Sequence, residues 1–407
     1  MDKIDKLAKF NPEQAMFEGS RKVFGEFGGV NSCIHPSSTF TTMDPEIMSQ
    51  MFSGDLSDDG CYLYGRHFHP NALNLGMQMA AMENTEIAYP VASGMAAITT
   101  LIRQVIKGGG DIVASSNVYG GTYAYLRNLA PLEGGRVTFV NSNDTQDILD
   151  TVSFMTNLVI FEMHSNPALN VANLKELKQE LPDHVKIMVD NTFTPLMYTP
   201  ANLGADYVVH SGTKFINGMS DGTSGFICCS HDMLQDLMDL NSGQLMLSGP
   251  VLDARSCWQV QQYMQTLPIR MREHSLRAHE ISDALASTNK FKIIYPGLET
   301  HPGHEDAKLQ AHADFRYGGI LAIDLETYDN ARRYVKLMQD SKWGLNAVSL
   351  GYYHTLMSIS GSSTSSEIEP DVQEASQLSP GLVRVSVGFL GDIDQQVDAF
   401  YENLLKI

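Results

Sequence analysis

The sequence predicts an α/β protein with a mostly parallel sheet in a large domain, followed by a smaller C-terminal α+β domain. Three observations carry this. Short apolar, β-branched runs alternate with helical stretches from Ile87 to Cys229, the pattern of strands joined by crossover helices. Two of these runs end abruptly in polar and charged residues. After Gly249 the pattern changes to a long helical stretch followed by widely spaced strands.

In chain order, the first sixty residues have weak periodicity and many Gly, Ser, Thr and Pro. They read as an extended arm (1–60) with one short helix near Asn11 to Phe24. A large domain (61–265) follows from about Cys61. Its strands are expected at Ile87 to Val91, Asp111 to Ser115, Arg136 to Val140, Leu158 to Glu162, Lys186 to Asp190, Tyr207 to Ser211 and Phe226 to Cys229. Gly108-Gly109-Gly110 precedes a strand instead of following one, so it reads as a turn and not a phosphate loop. Cys228 and Cys229 end a strand and read as core residues. One helical stretch is expected through Trp258, Tyr263, Leu267 and Met271, carrying Arg270, Arg272, His274 and Arg277. It leads into the small domain (266–407), with strands at Gly319 to Leu325 and Leu382 to Val387 and a loop at Ser358 to Ser366.

Composition narrows the function. The 407 residues include 47 acidic and 28 basic side chains, a net charge of −19. This argues against nucleic acid, whose phosphates need clustered Lys and Arg. The opening Met1-Asp2-Lys3-Ile4-Asp5-Lys6 lacks an apolar core, so no secretory signal is read there. The most apolar window, Ile87 to Ile102, is broken by Pro90, Ser93 and Gly94 and is too short to span a bilayer. Five cysteines form no even framework and no CxxC pair, which points to reduced thiols in the cytoplasm. His67 and His69, and His301 and His304, lack a completing ligand at metal spacing and read as surface or interface histidines; no metal is expected.

The chemistry concentrates where strands end. Tyr207-Val208-Val209-His210 runs into Ser211-Gly212-Thr213-Lys214, and Val185-Lys186-Ile187-Met188-Val189 runs into Asp190-Asn191-Thr192. Ligands bind at the carboxyl ends of strands in open α/β sheets. A lysine and an acid there, 214 − 190 = 24 residues apart, suit pyridoxal 5′-phosphate (PLP). Its aldehyde forms a Schiff base with a lysine and its ring nitrogen takes a carboxylate partner. Ser93-Gly94-Met95 opens a helix after the first strand, where backbone N–H groups meet a phosphate. Ser211 and Thr213 add hydroxyls. Tyr119 follows another strand and offers a flat ring for stacking. Glu162 and Asn166-Pro167 lie past a further strand on the same side.

Together these segments resemble a known family. Tyr64-Gly65-Arg66, Ser93-Gly94-Met95, Tyr119-Gly120-Gly121-Thr122, Asp190-Asn191-Thr192, His210 to Phe215 and Arg384-Val385-Ser386-Val387-Gly388 occur in the order and spacing of the PLP-dependent trans-sulfuration enzymes. That family includes methionine γ-lyase, cystathionine γ-lyase and γ-synthase, cystathionine β-lyase and O-acetylhomoserine sulfhydrylase. The resemblance runs from about Phe40 to the C-terminus and implies the PLP-dependent transferase fold type I. It implies that Lys214 holds PLP and shuttles protons, and that Asp190, in its Asp-Asn-Thr192 segment, keeps the ring nitrogen protonated. Ser93, Gly94, Met95, Ser211 and Thr213 would surround the phosphate. Tyr119 would stack on the ring and act as acid or base. Arg384 with Ser349 would bind the substrate carboxylate. Tyr64 and Arg66 would reach the phosphate from a neighbouring subunit of a homotetramer.

The sequence departs from the family around the substrate. Gly121 stands where methionine γ-lyases usually have cysteine. Val348, before Ser349-Leu350-Gly351, stands where cystathionine γ-lyases tend to have glutamate. Tyr352-Tyr353-His354, Ser358 to Ser366 and Phe389-Leu390-Gly391-Asp392 replace the usual segments. Valine at 348 and two tyrosines narrowing the pocket favour γ-elimination from a small amino acid such as methionine. Cystathionine γ-lyase, γ-synthase or sulfhydrylase activity is the alternative. The tyrosine-x-arginine motif argues against another PLP reaction, and the intact Lys214, Asp190, Tyr119 and Arg384 argue against a catalytically silent homologue.

Overall fold

Seven strands form the first sheet of the computed structural model, which describes residues 10–20, 26–42, 44–53, 62–140, 145–360 and 379–407. They are β1 (Ile87–Val91), β2 (Gly110–Ser115), β3 (Gly135–Val140), β4 (Thr156–Glu162), β5 (Lys186–Asp190), β6 (Tyr207–His210) and β7 (Gly225–Cys229), in the order β1-β7-β6-β5-β4-β2-β3. Strands β6, β5, β4, β2 and β3 pair in parallel. β7 runs antiparallel to both of its neighbours.

The apolar runs are continuous because both faces of this sheet are covered. Ile160, Met188 and Val209 pack with Ile98, Leu101 and Ile102 of the helix Gly94–Val105 on one face. Phe161, Val189 and Val208 pack with Leu75, Met79 and Met82 of the helix Pro70–Glu83 on the other. The first helix among the described residues is Pro12–Ser20, within the stretch expected from Asn11 to Phe24. Phe24 itself, Cys61 and residues 361–378 lie outside the described residues.

The second sheet holds β8 (Lys292–Ile294), β9 (Ile320–Asp324), β10 (Leu345–Asn346), β11 (Leu356–Ile359) and β12 (Leu382–Ser386), ordered β10-β11-β12-β9-β8. All its pairings are antiparallel except β10 with β11. Its core takes Ile281 and Leu285 from the helix Leu267–Ser287, Tyr334 and Met338 from Tyr328–Asp340, and Phe400 and Leu404 from Ile393–Leu405.

Three sequence expectations are corrected. The single helical stretch after Gly249 is two helices, Ala254–Met264 and Leu267–Ser287. Pro268 sits in the first turn of the second, where its missing N–H is tolerated; a helix interior would not accept it. Ser358 and Ile359 belong to β11 and are buried, with Ser358 opposite Arg384; that strand is too short, and too rich in small polar neighbours, to show in the pattern. His67, His69, His301 and His304 are buried within the chain itself. His69 caps the helix Pro70–Glu83 by accepting from Asn71 N, His301 accepts from Gly303 N, and His304 Nδ1 lies 2.9 Å from Pro296 O. Among the described residues no cluster of His, Cys, Asp and Glu is arranged to hold a metal.

Candidate active site

The carboxyl ends of β4, β5 and β6 open into a cavity of about 430 Å³. It is lined by Ser93, Gly94, Met95, Tyr119, Glu162, Asp190, Thr192, Ser211, Thr213, Lys214, Val348, Ser349 and Arg384. Twelve of the fourteen residues expected to form the cofactor and substrate site are among these thirteen; Glu162 is the thirteenth. Tyr64 and Arg66 are not. Arg66 donates to Met246 O at 2.9 Å and its guanidinium carbon lies 5.6 Å from the Tyr64 ring, with Tyr64 46% exposed.

One wall is the start of the helix Gly94–Val105. Ser93 caps it, its Oγ accepting from Ala96 N at 3.1 Å. Gly94 is required by close approach: a Cβ there would lie 2.7 Å from Ser211 Cβ. Ser211 thus packs close to the backbone of the helix N-terminus, where N–H groups and the dipole favour an anion. Thr192 ties the neighbouring strand ends together, accepting from Ser211 N at 2.7 Å and donating its own N–H to Asp190 Oδ1 at 2.9 Å. The Thr213 hydroxyl is engaged with the Ser224 backbone, 3.2 Å from its oxygen and 3.0 Å from its nitrogen.

Lys214 Nζ donates to Ser349 Oγ at 2.8 Å. Burial, then the charge of Arg384, lowers its ammonium from 10.5 to about 8, so a neutral amine is within reach near neutrality. The segment behind it is held by Arg270, whose Nη1 and Nη2 donate to Phe215 O and Ile216 O at 2.5 and 3.0 Å. Burial raises the carboxyl of Asp190 above its usual range, against the pull of Thr192. Glu162 is raised further, by burial and then by Asp190. It accepts from Tyr119 N at 2.7 Å and Asn166 N at 2.9 Å, so it pins two loops.

Arg384 enters from β12 of the second sheet and is 3% exposed. Its Nη1 donates to Asn166 Oδ1 at 3.1 Å and its Nη2 to Ser349 O at 3.0 Å. Burial lowers it to about 10. Tyr119 is 42% exposed. Tyr352, Tyr353 and His354 do not line the cavity. Tyr352 and Tyr353 stack on each other with centroids 3.9 Å apart, so they do not narrow the site in this chain. The cavity also includes His164, Phe193 and Leu350, which the sequence reading passed over. His164 had a signal: it lies two residues from both Glu162 and Asn166.

A lysine, a carboxylate and a helix N-terminus converging at the strand ends of a doubly covered parallel sheet define a PLP-dependent enzyme of fold type I. The chain belongs to the Cys/Met metabolism PLP-dependent enzyme family, which it matches over residues 14–400. Methionine gamma-lyase of Arabidopsis thaliana is 44% identical over 392 residues, covering 95% of this chain and 89% of that protein. Cystathionine gamma-lyase of Saccharomyces cerevisiae is 31% identical over 358 residues, covering 86% and 89%. The structure of cystathionine gamma synthase from Xanthomonas oryzae pv. oryzae, solved with aminoacrylate and cysteine, matches with a TM-score of 0.87 at 25% identity, covering 97% of this chain and 98% of that one.

The residues present fit this cofactor. An amine held only by the Ser349 hydroxyl shares a cavity with a buried carboxyl, and Gly94 keeps the helix end of that cavity clear. Burial raises Asp190 despite its hydrogen bond from Thr192 N, so a protonated ring nitrogen beside it would supply a counter-charge.

Proposed function

We propose that the enzyme catalyses γ-elimination from a small, apolar sulfur amino acid such as methionine, consuming one water and releasing a 2-oxo acid, ammonia and a thiol. The observation that carries this is Val348. It lines the cavity beside Ser349 and is 65% exposed, so an apolar residue stands on the wall that the substrate's far end meets. A charged distal group, such as the amino-acid end of cystathionine, finds no partner on Val348. The likeness to the Arabidopsis protein supports the same reading.

Bound PLP supplies a conjugated ring that takes up the electron pair left when the substrate loses its α-proton. Lys214 anchors it and then moves that proton, its amine already brought to about 8. Asp190 would hold the ring nitrogen, and Ser93, Gly94, Met95, Thr192, Ser211 and Thr213, which line the same cavity, would surround the phosphate and ring edge. The Arg384 fork takes the substrate carboxylate, giving up Asn166 or Ser349 O as it does. Tyr119 would stack on the ring, leaving its hydroxyl to protonate the departing sulfur; the bond from its N–H to Glu162 fixes its backbone.

The site is completed by a second copy of the chain within a homotetramer, which brings Tyr64 and Arg66. Their position away from this chain's own cavity supports the assignment. The division into an arm (1–60), a PLP-binding domain (61–265) and a small domain (266–407) is kept, supported by the first sheet ending at Cys229 and the helix Leu267–Ser287 packing with the second. The buried, unpaired Cys228, Cys229 and Cys257 support a reducing, cytoplasmic setting; among the described residues no helix is long and apolar enough to cross a membrane.

Gly121 favours the alternative, a cystathionine lyase or synthase, because it lacks a side chain: a Cβ there would come 2.6 Å from the Tyr119 ring. The deciding experiment compares kcat/KM for methionine and cystathionine, in the wild type and in Val348→Glu. A wild-type preference for methionine that the substitution erodes supports the proposal. A preference for cystathionine, unchanged by the substitution, overturns it.

A further inference from the structure

The small domain carries a second cavity, of about 310 Å³, that the proposed reaction does not use. It lies between the end of the helix Tyr328–Asp340 and the start of the helix Ile393–Leu405, and it shares no lining residue with the PLP cavity. Two of the segments in which the sequence departs from its family meet on its wall. Tyr353 and His354 come from one, Leu390 and Gly391 from the other. Phe389 N donates to Tyr353 O at 2.9 Å and ties the two together.

The wall offers donors that the chain itself does not satisfy. Arg277 Nη1 donates to Gln396 Oε1 at 2.9 Å, which fixes that amide, since arginine only donates. Gln396 Nε2 is therefore a donor, to Gly388 O at 3.1 Å and to Thr355 Oγ1 at 3.2 Å. Gly388 N donates to Thr355 Oγ1 as well, at 3.0 Å. Both lone pairs of the Thr355 hydroxyl are then taken, and among the described residues its hydrogen has no acceptor. Thr355 is 4% exposed. The indole N–H of Trp343 also has no acceptor among the described residues, and it is not sealed in the core. Lys342 has no ion pair among them. No aspartate or glutamate lines the cavity, in a chain of net charge −19. The Tyr353 hydroxyl is engaged by Tyr352, which leaves its ring for the cavity.

We propose that this cavity is a second ligand site, for a small carboxylate with a flat apolar body. A carboxylate only accepts, takes several donors at once and carries the charge that Lys342 lacks a partner for. A cation would meet Lys342 and no acid. The aromatic and apolar side chains of Trp343, Tyr353 and Leu390 suit the body. The volume is at the lower end of ligand cavities, which run roughly 300–1,000 Å³, so the ligand is small. The site depends neither on the cofactor nor on the substrate proposed above.

The chain has two tryptophans, so in Trp258→Phe the emission of Trp343 alone reports on the cavity. That variant, loaded with its cofactor, is titrated with phenylacetate and with phenylacetamide, the same body without the charge. We expect a saturable change in emission with phenylacetate and binding of the amide weaker by about tenfold, the worth of one charge-assisted hydrogen bond. This comparison needs no variant at the site itself. Lys342→Gln in the same background should weaken phenylacetate by about tenfold. Arg384→Lys, which alters the carboxylate fork of the PLP cavity, should leave it unchanged. The absence of a saturable change overturns the proposal. So does equal binding of acid and amide, or a Lys342→Gln protein that binds phenylacetate as before. Weakening in Arg384→Lys would place the ligand in the PLP cavity and overturn it as well.

Discussion

The two sheets feed the same cavity in different ways. The first delivers Glu162, Asp190 and the Ser211–Lys214 segment from the points where β4, β5 and β6 stop. Their positions follow from backbone topology, and the strands behind them are buried on both faces. The second delivers Arg384 from the middle of β12, by the reach of one long side chain, and Ser349 from a turn at φ 84°. Such a φ disfavours any residue but glycine, so surrounding contacts hold it. The rigid half suits a resident cofactor. The half built on side-chain reach suits a substrate that comes and goes. Ser349 joins the two, accepting from Lys214 through Oγ and from Arg384 through its carbonyl.

Substitutions in the first region should therefore have the largest effects. On the proposed reading Lys214→Ala removes both the covalent anchor and the proton carrier, and we expect loss of turnover together with the visible absorbance of bound PLP while the fold is kept. A variant retaining both would detach the chemistry from β6. Asp190→Asn keeps the shape and removes the charge. We expect kcat to fall by at least ~10²-fold, as when a major electrostatic stabiliser is lost. Near-normal kinetics with tightly bound PLP would place the stabilising charge elsewhere.

The same contrast explains what was legible in the sequence. The strands of the first sheet could be read because, in all but β3, burial on both faces writes continuous apolar runs, and the polar endings of β5 and β6 marked Asp190 and Lys214. In the second sheet, β8, β10 and β11 have only two to four residues and left no pattern. Arg384 was identified by resemblance alone, since one arginine inside an apolar strand carries no local signal of its target. The break before Leu267 was missed because both flanking segments are helical and only Pro268 marks it. The burial of the four histidines was missed because their partners are backbone groups or lie in loops, as with His304 and Pro296. Tyr352 and Tyr353 were misjudged because adjacency to Ser349 in sequence does not survive the turn at Gly351, φ 77°.

In the second region, Arg384→Lys keeps the charge and loses the planar fork. With one charge-assisted hydrogen bond worth about 1.5–3 kcal/mol, kcat/KM should fall by about 10- to 100-fold, mainly through KM. A loss confined to kcat would mean that Arg384 serves the reacting centre and not the carboxylate.

The smallest effect is expected where the two regions meet. In the apoprotein, Lys214 is lowered to about 8, and only the neutral amine attacks the PLP aldehyde. The rate of PLP capture should therefore rise with pH, pass its midpoint near 8 and level off above it, well before an ordinary lysine at 10.5 would respond. Ser349→Ala removes an acceptor that favours the ammonium form over the amine. The charged form then becomes costlier, the midpoint moves to lower pH, and turnover changes by about fivefold, the worth of one modest hydrogen bond. Stopped-flow absorbance across pH 6–10 reads both. A midpoint that moves upward would mean that Ser349 holds the neutral amine instead, and that the second sheet's turn sets the geometry of Lys214 without tuning its charge.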